Sequence, residues 1–282
     1  MEESYIRSVA RRFSYHKAGM VSLAVVILIA AAALLAPVIA PYGYEDIVGG
    51  ISQPPGPGHL LGTDGIGRDM FSRLLYGTRT SLFVGLAATL LSTAVGVVLG
   101  LVAGYFGGIW DMILMRFTDM VMSFPYILLV LVASVIFKPG MWNIILILGF
   151  VDWTGVARLV RGNVLAVKDE NYVQAARLAG MPRRHLLFSE ILPNVIAPVL
   201  VFATSVMALS ILDEAALSFL GMGVQPPDPS LGNLLNGAQS LTVLGSMPWL
   251  WLAPGLTIVL LVVCVNFVGD ALRDAVDPTT MR

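Results

Sequence analysis

Polar positions in this sequence are bunched, and long apolar runs lie between the bunches. Six such runs stand out: Ala18–Ala40, Thr80–Tyr105, Met120–Phe137, Met141–Val160, Asn194–Leu217 and Met247–Ala271. A helix rises 1.5 Å per residue, so about 20 apolar residues cross a hydrocarbon core of about 30 Å. The pattern therefore predicts an all-α integral membrane protein with six transmembrane helices. Asp152 interrupts the fourth run and makes it the weakest. The first run is uncharged and longer than the roughly 7–15 apolar residues of a signal peptide, which predicts a retained anchor. Polar stretches frame the spans: 1–17, an external segment 41–79 rich in Gly and Pro, a loop 161–193, a second external segment 221–246 and a tail 273–282. The five-helix core is expected over 80–272. Pro226, Pro227 and Pro229 exclude a continuous helix through the second external segment.

Composition strengthens the membrane reading. Of the 282 residues 57% are hydrophobic and 12% charged, against about 25% charged in soluble domains. Mean hydropathy is +0.82. Only Arg68, Arg73, Arg79 and Lys138, of 17 Lys and Arg, fall outside if the N-terminus is cytoplasmic. The positive-inside rule thus predicts both termini in the cytoplasm of a multi-pass cell-membrane protein. Net charge is −1, so no basic field points to nucleic acid. The single cysteine, Cys264, lies in an apolar run and reads as a buried hydrophobe. No lysine follows a glycine, so the phosphate-binding GK[ST] sequence cannot occur. His16, His59 and His185 are scattered, without the spacing of a metal site. No GxSxG nucleophile elbow is present.

Within the spans, Gly96, Gly100 and Gly104 form two overlapping GxxxG units. They clear a helix face for close approach of a neighbour. Pro125, Pro193 and Pro198 remove backbone donors and favour kinks or helix starts, as gates or as plain bends. Asp152, Asp213 and Glu214 are ionisable within spans and are candidates to line a pathway, or to pair between helices. Asp119 and Asp270 read as interfacial or paired.

The loop Arg161–Pro193 has a definite design. Asp169 or Asn171 can cap a helix. Gly180 can take the left-handed conformation that ends it. Pro182 suits the first turn of a second helix whose apolar side is Leu186, Leu187 and Ile191. Pro193 marks re-entry into the bilayer. A short element with the shallow surface of Ala175 and Ala176 fits docking in a partner's groove.

Gln174-Ala175-Ala176, Gly180 and Leu192-Pro193 resemble the EAA loop of ABC-importer permeases. Gln174 replaces the usual Glu, and Glu190 stands where an apolar residue is usual. Three further blocks resemble the dipeptide, oligopeptide and nickel permease family. They are Leu61–Leu82, Trp153–Arg161 and Glu214–Gly232, the last with Leu231 in place of the common Trp. Gly269–Pro278 is similar to that family's ending. The collinear blocks cover nearly the whole chain, and the leading single span is similar to the second permease subunit.

This resemblance implies a type I ABC-importer permease fold and a coupling loop that seats in ATPase subunits. On this sequence the loop residues are Tyr172, Gln174, Ala175, Ala176, Gly180, Met181, Pro182, Arg183, Leu192 and Pro193. It further implies a second homologous permease, two ATPase subunits that bind ATP and Mg, an external substrate-binding protein, and no cofactor or metal in this chain. The implied substrate is a di- or oligopeptide, with nickel as the alternative. From another class, a proton-coupled secondary transporter would use Asp152, Asp213 or Glu214 as a relay. A structural scaffold would leave the shaped loop without a purpose.

Overall fold

The computed structural model describes residues 5–276. The first four residues, and the part of the expected tail beyond Val276, lie outside the described residues. The amphipathic helix α1 (Tyr5–Tyr15) leads into α2 (Lys17–Leu34), whose start His16 caps by accepting from the Gly19 amide at 3.0 Å. Short α3 (Ala36–Ile39) follows a break beside Pro37. After the segment 40–69 come α4 (Met70–Phe106), α5 (Gly108–Met122), α6 (Tyr126–Phe137) and α7 (Met141–Val167). Then α8 (Asn171–Leu178) and α9 (Arg183–His185) form the intervening knob. A π turn (Leu186–Ile191) feeds α10 (Leu192–Phe219). Finally α11 (Leu231–Leu235) and α12 (Leu241–Ser246) precede α13 (Leu252–Val276).

Five helices among the described residues are long and apolar enough to cross a membrane. The sixth, expected at Met120–Phe137, is not a single helix. It is broken at Ser123–Pro125, where Pro125 favours a kink, and α5 and α6 meet there at 88°. Pro125 lacks the N–H that would continue α5, and it disfavours helical geometry at Phe124. The 12 residues of α6 rise about 18 Å, too short to cross alone.

The α4–α7 seam shows what the broken pair must do. Gly96, Gly100 and Gly104 of α4 lie against Val156, Val160 and Val164 of α7 in the same order, so the two helices run parallel. The chain from Phe106 to Met141 therefore has to return across the membrane, and α5 with α6 carries it back. An added Cβ on Gly100 would stand 2.6 Å from both the Ala157 carbonyl oxygen and Val160 Cβ. Only a missing side chain allows that approach, which is the physical content of the GxxxG pattern.

Several expected boundaries move outward. The 37 residues of α4 rise about 55 Å, beginning ten residues before Thr80, so this helix projects from the bilayer. Asp69 starts it by accepting from the Ser72 amide at 2.8 Å. Helix α7 continues to Val167, so the loop proper is shorter than 161–193. Nor does the chain break at Pro193: Arg183–Phe219 is one continuous helix of 37 residues. The π turn shifts the register just before Pro193, where Leu192 N–H bonds to Leu187 O.

Candidate functional site: a knob at one end and a cleft in the core

At the knob, Glu170 rather than Asp169 or Asn171 is the residue before α8, and no side chain caps it. The other end is tightly specified. Gly180 has φ +77°, the left-handed region. Its N–H bonds to Arg177 O at 3.1 Å and that of Met181 to Ala176 O at 3.2 Å. This 6→1 and 5→2 pairing is the Schellman motif, and the left-handed residue it requires is free of strain only as glycine. Pro182 then precedes α9 with extended φ and ψ.

The knob is fastened at one point. Val173 is fully buried and packs with Val164 of α7 and with Ile191 and Val195 on the α10 side. Everything else on its tip faces outward: Tyr172, Gln174, Ala175, Gly180, Met181, Pro182 and Arg183 are exposed, as is Leu178 at 89%. Ala176 is half-buried. Leu192 is half-buried and Pro193 exposed at the start of α10. Gln174 Nε2 donates to Asp169 O at 2.8 Å. A glutamate could not donate there, so the Gln for Glu exchange ties this side chain to the loop's own backbone. Partial burial and the neighbouring acids Glu170 and Glu190 push the Tyr172 phenol up from its ordinary value.

Charged pairs brace the helices around the knob. Arg161 of α7 makes a two-pronged pair with Asp111 of α5. Arg158 meets Asp119 at 2.8 Å, with both side chains half-exposed. Lys168 Nζ donates to Gly104 O at 3.2 Å. Arg183 lies 6.0 Å over the Phe106 ring. None of these partners was legible from spacing along a single helix.

A cleft of about 250 Å³ opens where α5 and α6 break. It is lined by Phe124 and Tyr126 at the break, Asp152 and Gly155 of α7, and Phe202 and Val206 of α10, among others. The Tyr126 hydroxyl donates to Asp213 at 2.8 Å, and Ser210 reaches Asp152 at 3.5 Å. Tyr126 interacts with Asp152 as well, so Asp152 and Asp213, 61 positions apart, meet around a residue the sequence reading passed over. Its signal was there: a polar ring directly after a helix-breaking proline in an apolar run.

Glu214 is not in this company. It is fully buried on the other side of α10, held by Ser81 and Ser218. Its neighbour in sequence, Asp213, meets the Tyr126 hydroxyl instead, because adjacent helical residues point about 100° apart.

This constellation is that of a transport subunit, and the comparisons place it. The chain belongs to the family of binding-protein-dependent transport system inner membrane components, whose model matches residues 96–282. Residues 4–55 match the N-terminal transmembrane domain of oligopeptide transport permease C. A putative peptide permease protein of Brucella suis biovar 1 is 41% identical, covering 95% of this chain and 89% of the relative. The Haemophilus influenzae oligopeptide transport system permease protein OppC is 39% identical, with 95% and 86% covered. The dipeptide permease protein DppC of the same organism is also 39% identical, with 94% and 92% covered. Among solved structures, an inward-facing MetNI methionine ABC transporter chain has a TM-score of 0.60 at 19% identity, covering 74% of this chain and 98% of that one. That likeness shows the ABC-importer permease fold. The protein is therefore a multi-pass inner-membrane transport subunit that works with other ABC subunits.

Proposed function

We propose that this chain is one of two permease subunits of an ABC importer for di- or oligopeptides. Peptide is the cargo named for the relatives that match it across nearly its full length. The knob end faces the cytoplasm in this reading, in keeping with the distribution of Lys and Arg. Two ATPase subunits grip the knob and supply ATP and Mg, since the sequence has no phosphate-binding lysine of its own. A substrate-binding protein delivers peptide to the segments 41–79 and 221–246. The second permease completes the pathway, of which the cleft lined by Tyr126 and Asp152 is this chain's share.

One observation carries the docking role: a knob pinned by a single buried valine, ended by a left-handed glycine, and otherwise turned outward. A plain linker needs none of that construction. Reconstitution with candidate ATPases tests it. Gly180→Pro combined with Ala176→Asp is expected to abolish peptide uptake coupled to ATP hydrolysis. Uptake and coupling at the level of the unmodified chain would overturn the reading.

A further inference from the structure

Glu214 is buried without a cation beside it, yet its carboxylate is well supplied with donors. Ser81 of α4 donates to Oε2 at 2.5 Å and Ser218 of α10 to Oε1 at 2.6 Å. A hydroxyl has one proton to give and lone pairs to spare. Both spare acceptors are used by the second external segment: Leu231 N–H bonds to Ser81 Oγ at 3.1 Å, and Val224 N–H to Ser218 Oγ at 3.0 Å. Ser230, also of that segment, is a third hydrogen-bond partner of the carboxylate. One buried acceptor thus orients two hydroxyls, and these hold two backbone amides.

The segment lies unusually close to the helices it bonds. A Cβ on Gly232 would stand 2.6 Å from Ala215 Cα, and one on Gly223 would stand 2.6 Å from Ser218 N. One on Gly77 of α4 would stand 3.2 Å from the Ser230 carbonyl carbon. Glycines on both sides let the segment settle into the corner between α4 and α10, with Glu214 at its centre. From that corner the helix runs unbroken to Arg183, the second residue after the Met181 turn of the knob. Its 37 residues rise about 55 Å.

We infer that Glu214 is a positioning residue that locks the second external segment to α10, so that the segment and the knob move as one body. The partners at the two ends rest on the function proposed above; the lock itself rests on this chain's own geometry. A binding protein that shifts the segment then shifts the knob without any rearrangement between them.

The test uses the complete importer in lipid nanodiscs, with this chain as Glu214→Gln. A glutamine has one acceptor oxygen and an N–H₂ group, so one serine loses the acceptor that orients its hydroxyl and must turn its proton elsewhere, which loosens its hold on the amide it accepts from. Amide exchange at whichever of Val224 and Leu231 that serine holds is accordingly expected to speed up about ten-fold or more. Stimulation of ATP hydrolysis by peptide-loaded binding protein should fall severalfold, with unstimulated hydrolysis unchanged. Unchanged exchange refutes the lock. Faster exchange with full stimulation refutes the transmission. If Glu214→Gln fails to assemble, Ser81→Ala removes one arm and is read the same way. If the unmodified complex responds to no binding protein, the proposed function fails, while the exchange measurement still decides the lock.

Discussion

Replacing Gly100 by alanine tests whether the α4–α7 seam depends on bare backbone. The new methyl would lie 2.6 Å from the Ala157 carbonyl oxygen and 2.6 Å from Val160 Cβ. Comfortable carbon contacts are about 3.5–4.0 Å. The shortfall is about 1 Å, and neither neighbour can yield: one is backbone and the other a branched side chain fixed at χ1. The helices must part by about that distance, which also loosens the contacts at Gly96 and Gly104. Overpacking of this kind costs about 1–3 kcal/mol. Alanine's better helix propensity returns about 0.5–1 kcal/mol, leaving a net loss of about 1–2 kcal/mol. Gly162 of α7 supplies the control, because nothing stands within 4 Å of a Cβ there. Gly162→Ala should gain the propensity alone, which puts the two variants about 2 kcal/mol apart. Equilibrium unfolding in mixed detergent–lipid micelles measures the difference. Equal stability of the two variants would refute the close-packed seam.

Two further outcomes follow from the knob and the cleft. Val173→Ala removes two buried methyl groups at about 0.8 kcal/mol each and leaves a cavity, so it should loosen the knob by about 2 kcal/mol. Hydrogen exchange in Asn171–Leu178 should rise while the seam stays protected; protection spreading or failing together would show that the knob is no separate unit. Asp152→Asn should slow peptide uptake while ATP hydrolysis persists, since the side chain lines the cleft and not the knob. Uptake by this chain alone, driven by a pH gradient and abolished by the same substitution, would instead favour a proton-coupled carrier.

The membrane class and most spans were legible because hydrocarbon imposes a length and a composition that single residues cannot hide. The glycine turn at Gly180 was legible for a similar reason: a left-handed residue between two helix signals has one local solution. What could not be read were the relations across helices. Asp213 and Glu214 are adjacent letters with the same chemistry, and only the packing of α10 sends one to the Tyr126 hydroxyl and the other into a serine cage. The cage did leave a trace, since Ser218 stands four residues after Glu214 on the same helical face. Ser81 left none, because a single hydroxyl in an apolar span looks the same whether it bonds its own helix or a distant acid. The break at Pro125 was half legible: the proline announced a bend, but its 88° angle comes from what surrounds it. The parallel course of α4 and α7 forces the chain back between them, and the broken pair opens the cleft that Tyr126 fills with a polar group. A kink is thus ambiguous between gate and bend when read alone, and acquires a role only through the two acids that other helices bring to it.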